Sequence, residues 1–242
     1  MRGCLFTLVL GAIVVVFGVY VGLPAVASAV LTAGITAAGL QADDTTVTVT
    51  SSPPTDLLGL HADRVRVRAT HATFRGLAIG SLDVVLGDVA IVPRTAGSVD
   101  GELLDVTVPD VGGRPLGLAA ITLSGGGASV SASTTIAGAD AEALLADAVT
   151  TGLGVRPSSV TLSTPDLVTA RVGATVRARL GVSAAGDLEA VVLDGPEAGH
   201  TVVLLRGGGD LPIRLTSVRV TAAGDLRLSG DLAIGLPGFA GG

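Results

Sequence analysis

In the stretch HADRVRVRAT, Val65, Val67 and Ala69 alternate with Arg64, Arg66 and Arg68. Successive side chains of a strand point to opposite faces, so this segment carries guanidinium groups on one face and small apolar groups on the other. The alternation returns over Leu167 to Val182. There Val168, Ala170, Val172, Ala174, Val176, Ala178 and Leu180 share one parity, while Arg171, Arg177 and Arg179 take the other. Such a chain must find an apolar layer for one strand face, and water, carboxylates or phosphates for the other.

Other segments repeat the period of two. Thr45 to Ser51 alternates Val47 and Val49 with Thr. Leu77 to Val92 is long, and its apolar parity slips by one residue at Gly80-Ser81 and at Gly87-Asp88, which predicts bulges or turns in a strongly bent sheet. Further strands are predicted over Leu103 to Val108, Gly117 to Ser124, Ala128 to Ile136 and Ser158 to Ser163. The pentapeptide AAGDL occurs twice, at Ala184 to Leu188 and Ala222 to Leu226, each time between alternating runs, and reads as a hairpin turn. Gly138 to Val149 breaks the pattern. Its Ala141, Leu144, Leu145, Ala148 and Val149 form a helical stripe, Asp140 and Glu142 sit near the start, and Gly152 and Gly154 end it.

The N-terminus has another character. Cys4 to Leu23 carries no charge, Arg2 precedes it, and no charged residue follows until Asp43. At 1.5 Å per residue a helix of this length reaches ~30 Å, the thickness of a bilayer's hydrocarbon core. The positive-inside rule then keeps the N-terminus in the cytoplasm and sends the rest outward. Ala27-Ser28-Ala29 offers a signal-peptidase site, and cleavage there would release the chain into a periplasm-like space. The apolar run is longer than the ~7–15 residues usual in a signal peptide, which favours an uncleaved anchor. Three regions follow: residues 1–23 as transmembrane anchor or signal, 24–40 as a short helix or stalk, and 41–242 as an exported β-rich domain.

Composition removes several functions. There is no lysine, since all 15 basic residues are arginine, so P-loop, Schiff-base and lysine-base chemistries are excluded. Net charge is −6 with no basic run, and aromatic residues are 2%, which argues against nucleic-acid binding. With so few aromatics the core must be built from Val, Leu, Ala and Ile. Cys4 is the sole cysteine, so no internal disulfide supports the domain. The usage of Arg, Ala, Gly and Val fits a GC-rich genome and suggests an actinobacterium.

No catalytic set emerges. His61, His71 and His200 are far apart and read as surface or loop residues without metal-ligand partners. Asp83, Asp88, Asp100, Asp105 and Asp110 lack calcium-loop spacing. Gly127 to Ser131, GASVS, has Ser where a nucleophile elbow has its second Gly, and sits in a predicted strand. The glycine runs at Gly125 to Gly127 and Gly207 to Gly209 lack the helix and lysine of a nucleotide site. Neither metal nor cofactor is expected, nor enzymatic activity.

The order of features resembles a known family. A membrane segment and a small-residue helix precede the basic strand ADRVRVRAT and the long segment GLAIGSLDVVLGDVAI. The helix ADAEALLADAV follows, and LPIRLTSVRVTAAGDLRLSGDLAI closes the chain. Over roughly Leu23 to Leu236 this looks like the actinobacterial lipomannan elongation factor A-like phospholipid-binding envelope proteins. The resemblance implies an α+β, mainly β fold of the tubular lipid-binding type: a strongly curved antiparallel sheet packed round a central helix, preceded by an N-terminal transmembrane helix. It implies non-enzymatic phospholipid binding or transfer in the cell envelope.

On that reading acyl chains would lie on Val65, Val67, Leu82, Val84 and Leu86, on Leu144, Leu145 and Val149 of the helix, and on Val172 and Val176. Arg64, Arg66, Arg68, Arg177 and Arg179 are the headgroup candidates, because a planar guanidinium suits phosphate. The partners are membrane phospholipids and, through the N-terminal segment, the cytoplasmic membrane. A membrane-anchored structural or protein-docking module is the alternative, and an envelope hydrolase comes third.

Overall fold

The structure is a computed structural model that describes residues 22–232 apart from 38, 75, 91–94, 112, 127–128, 195–196, 210 and 212. The chain starts with α1 (Leu23–Ala37), β1 (Leu40–Gln41), β2 (Asp44–Thr50) and a short 3-10 turn, Pro54–Gly59. Five strands follow: β3 (His61–Phe74), β4 (Leu77–Ala90), β5 (Thr95–Val111), β6 (Arg114–Gly126) and β7 (Ser129–Ile136). Helix α2 (Gly138–Leu153) leads to β8 (Ser159–Ser163), β9 (Leu167–Val172), β10 (Ala174–Val182), β11 (Leu188–Val192) and β12 (Thr201–Leu205). The closing hairpin is β13 (Ile213–Val220) and β14 (Leu226–Leu232).

The strands form two antiparallel sheets. The larger has nine strands in the order β1-β3-β4-β5-β6-β7-β14-β13, with β2 also paired to β3; the smaller has five in the order β12-β11-β10-β9-β8. The mainly antiparallel β character follows the sequence pattern, but two sheets stand where one curved sheet is expected, and neither closes into a barrel. The physical reason lies at β13. Its outer edge does not take another strand but meets turns of the small sheet. Leu215 N–H donates to Gly186 O at 3.0 Å, and Val220 N–H donates to Pro165 O at 2.7 Å.

Two transverse creases bend the long hairpins. In β3 to β6 the inward-facing residues jump from Ala69 to Ala72, Ile79 to Leu82, Leu103 to Val106 and Leu118 to Ile121. Pairing skips His71, Gly80, Asp105 and Ala119 in one row and resumes in the same register, so neighbouring strands change their inward parity together and stay paired. His71 (φ 48°) and Asp105 (φ 51°) are left-handed, and a Cβ on Gly80 would lie 2.8 Å from Asp105 Cβ. Only glycine leaves that space. A second row passes through Asp63, Asp88 (φ 52°) and Gly97, where Asp88 overlies Gly97 in the same way. The parity slips in Leu77 to Val92 are therefore unpaired positions inside one continuous strand, neither bulges nor turns, because the register is the same on both sides of each.

Two apolar clusters fill the interior. The main one joins both sheets and α2 through Ile136, Leu188, Leu205, Leu211, Ile213 and Leu228, all fully buried. The second, centred on Val49, Leu57, Ala62, Val65 and Val89, lies under α1. Leu23, Ala27, Leu31 and Ile35 recur at a four-residue interval, which puts them on one helix face, and that face packs against this cluster. The segment expected to be a short helix or stalk is this helix, and it packs onto the domain. No helix among the described residues is long and apolar enough to cross a membrane; most of the predicted span, residues 4–21, lies outside them.

Both AAGDL segments close hairpins by the same hydrogen-bond set. In the first, Asp187 N–H donates to Ser183 Oγ at 3.1 Å, and its carboxylate accepts Gly207 N–H at 3.0 Å. In the second, Asp225 N–H donates to Thr221 Oγ1 at 3.1 Å, and its carboxylate accepts Gly138 N–H at 3.0 Å. One turn clips a distant loop; the other pins the start of α2. The single strand expected over Leu167 to Val182 is instead a hairpin, because Gly173 (φ 68°) turns the chain between β9 and β10. Strand β5 is longer than the predicted Leu103 to Val108 because its first half, Thr95 to Glu102, pairs with β4 and, from Val99 on, with β6 as well.

The junction between the sheets leaves no room for a side chain at Gly207, whose Cβ would collide with the Gly186 carbonyl. Gly207→Ala should therefore lower stability by about 1–3 kcal/mol, as overpacking does. Gly117 has open space around it, so Gly117→Ala should stay within about 0.5 kcal/mol of the parent. Urea midpoints of the two variants check this contrast.

Candidate functional site

The inner face of the small sheet and one side of α2 enclose an apolar groove. Its floor is Val168, Ala170 and Val172 of β9, Val176 and Ala178 of β10, Ala190 and Val192 of β11, and Val202 and Leu204 of β12. Leu145, Ala148 and Val149 of α2 form the roof, and His200 lies at the rim. Of these lining side chains only that of His200 is polar.

Strand pairing explains why the space exists. Ala170 faces Val176 across the β9–β10 ladder, Ala178 faces Val168 and Val192, and Ala190 faces Val202. Each alanine is thus flanked by valine or leucine, and the volume it does not fill lies under the helix. The floor is dry at Val168, Ala170 and Ala190, which are buried, and half-buried at Val172, Val176 and Ala178. The cavity measures about 50 Å³. Empty apolar cavities of ~150 Å³ accept a benzene-sized guest, so at this width the groove holds only a short piece of aliphatic chain. A longer guest must lie along the open side or displace α2.

Helix α2 is held unevenly. Its start is tied by the Asp225 carboxylate, a charge that suits a helix N-terminus, and a Cβ on Gly138 would approach Gly224 O to 3.1 Å. Ala141, Leu144 and Leu145 are buried. Arg114 pairs with Asp147 at 3.1 Å. From Ala146 to Thr150 the side chains are only half-buried. The groove lies under this less buried half.

The structure separates the predicted acyl contacts. Leu145, Val149, Val172 and Val176 meet in the groove. Leu144 belongs to the main core. Val65, Val67 and Leu86 are buried in the second cluster under α1, and Leu82 and Val84 pack against both clusters. The strand period identified their inward face correctly; it could not say which inward face is roofed by a helix. Ala178 reads as a small residue that leaves space, and it does line the groove, whereas Ala170, Ala190 and His200 were missed, along with Ala148, Val168, Val192, Val202 and Leu204. Small residues on an inward parity carry a weak signal for Ala170 and Ala190, whereas His200 reaches the rim through the β11–β12 connection, where its carbonyl accepts Val192 N–H at 2.9 Å.

The headgroup candidates are not at the groove. Arg177 and Arg179 have the parity opposite to Val176 and Ala178 and lie on the outer face of the small sheet. There Arg177 pairs with Asp194, and Arg179 lies 3.7 Å from Asp166. Arg64, Arg66 and Arg68 occupy the outer face of β3. Arg66 grips Asp83 with two bonds of 2.8 and 2.6 Å, and Arg68 adds a third at 3.1 Å. These contacts lower the Asp83 pKa to about 2, with the Arg66 hydrogen bonds as the largest cause. The Arg177 hydrogen bond likewise lowers the Asp194 pKa. The basic face of the alternating strands is therefore met largely by carboxylates on neighbouring strands.

The histidines expected at the surface or in loops include two within β3. His61 lies 3.3 Å from Asp88 and His71 lies 3.5 Å from Asp43, each beside a crease. Among the described residues no three of His, Cys, Asp and Glu are grouped to hold a metal ion. Ser131 lies within β7, away from any strand-to-helix turn. Compared with known proteins, the chain matches no family model, no curated protein and no solved structure.

The Arg66–Asp83–Arg68 cluster carries a pH prediction. The folded pKa of Asp83 is depressed, so its contribution is present above the unfolded value near pH 4 and is lost as pH falls towards 2. Asp83 is 41% exposed, so solvent and salt screen the effect. Asp83→Asn should lose less stability than the parent between pH 5 and pH 2 in urea titrations, and the difference should shrink in high salt. Equal losses would show that the cluster plays no part in acid unfolding.

Proposed function

We propose that the protein binds an acyl chain of a membrane phospholipid in the groove between α2 and the small sheet, and acts as a non-enzymatic lipid binder or carrier of the cell envelope. The observation that carries this reading is the lining: aliphatic side chains throughout, with one imidazole at the rim. Each methylene moved from water onto this surface contributes ~0.8 kcal/mol. Because the cavity is narrow, the bound form requires the half-buried end of α2 to lift while Asp225 keeps its start in place. The resemblance to lipomannan elongation factor A-like proteins implies the same ligand class. The arginines on the outer faces are not part of this site, so headgroup discrimination falls to the rim around His200.

A docking function is the second reading. The small sheet ends in β12, whose Val203 is 47% exposed, and an apolar side chain on an end strand suits addition of another protein's strand.

Ala178→Phe separates the two. A phenyl ring on the groove floor fills the space a chain would occupy and leaves β12 untouched. The full-length protein, purified in detergent from a phospholipid-containing host, should yield stoichiometric phospholipid on extraction and mass spectrometry. The Ala178→Phe protein, folded by circular dichroism, should yield little. A lipid-free parent that also takes up no added phospholipid, or a variant that retains its lipid, overturns the acyl-chain reading.

A further inference from the structure

Helix α1 presents a physical contradiction. Its fifteen residues include no charged side chain, yet none of them is fully buried. A helix that is apolar all round normally lies in a core or a membrane, and one on a water-facing surface normally carries charge on its outer face. The few polar side chains do not change this. Thr32 Oγ1 donates to Ser28 O at 2.8 Å and Thr36 Oγ1 to Thr32 O at 3.1 Å, so these hydroxyls are satisfied within the helix. Beside the face packed on the second cluster, Val26 and Val30 are 62% and 60% exposed. The 3-10 turn that α1 touches adds Leu58, and the residue after it Leu60, at 66% and 46%.

The position of α1 in the chain says what covers this surface. The span predicted over Cys4 to Leu23 ends where α1 begins, at Leu23, with neither a linker nor a charged residue between them. If residues 4–23 span the membrane, the first turn of α1 lies at its outer boundary. Because α1 is packed on β2, the 3-10 turn and the second cluster, the whole domain is held there with it.

We propose that α1 and the Pro54–Gly59 turn lie in the headgroup layer of the membrane that residues 4–23 cross, with Val26, Val30, Leu58 and Leu60 inserted. The exported domain rests on the bilayer instead of standing off on a stalk. This inference depends on reading residues 4–23 as a span. It also requires an uncut chain, since cleavage after Ala29 would remove Leu23 and Ala27 from the packing against the second cluster.

The test uses the full chain with Cys4→Ser and single cysteines at Val30, Leu58 or Val203, each labelled with NBD and reconstituted into phosphatidylcholine–phosphatidylglycerol vesicles. Val203 is exposed on β12, in the other sheet, and serves as the reference. Nitroxide-labelled lipid should quench emission at positions 30 and 58 and leave 203 unaffected, and intact mass should show an uncut chain. Protein that floats with the vesicles but is unquenched at 30 and 58 overturns the resting geometry while leaving the span intact. Emission that is blue-shifted at these positions without lipid quenching assigns the patch to a second copy of the chain, and also overturns it. Protein that does not float, or is cut after Ala29, removes the span and the inference together.

Discussion

Among the described residues the two sheets share no strand pairing, so the molecule depends on one aliphatic core and a line of turn-to-edge hydrogen bonds to keep them together. Leu188 and Leu205 of the small sheet bury against the same cluster as Ile213, Leu226 and Leu228 of the closing hairpin. At the edge of β13, carbonyls of Gly186 and Pro165 accept N–H groups that a neighbouring strand would otherwise take. That edge is thereby satisfied and blocked at once. The core contains no tryptophan and few aromatic residues, so its cohesion comes from many Leu, Val, Ile and Ala contacts, each small.

The groove is a consequence of this arrangement. The small sheet does not wrap round α2 as one continuous surface with the large sheet, so the helix is fixed at its start and less deeply buried towards its end. Asp225, in the last hairpin, fixes the first residue of a helix nearly ninety positions earlier, at a separation of 87. Alanines at alternate strand positions then leave space that valines would fill. A site of this kind needs no conserved-looking chemical signature, only omitted volume under a helix whose end is loosely buried.

Much of the fold is legible in the sequence because local rules govern it. The strand period marked which side chains of β3, β4 and β9 to β10 face inward, and Gly-Asp marked both hairpins. The helix over Gly138 to Val149 stands, extended to Leu153 with Gly154 as its left-handed cap. Gly173 escaped notice as a turn because the parity on both sides of it agrees, so the hairpin looked like one strand. The arginine faces were read as needing water, carboxylates or phosphates, and carboxylates are what they largely meet. Their carboxylate partners Asp83, Asp166 and Asp194 come from neighbouring strands or turns, and sequence distance hides them.

By itself, the sequence determined that the chain is rich in antiparallel strands with an aliphatic interior, that no lysine is available for chemistry, and that an uncharged segment runs directly into α1. Those properties follow from periodicity and composition, which act within a few residues. Only the tertiary structure decided that there are two sheets, that the creases run across neighbouring strands in register, and which inward face lies under α2 and forms a groove. Those depend on which distant segments meet, and two strands with the same alternation of valine and arginine, such as β3 and β10, end in different environments for that reason alone.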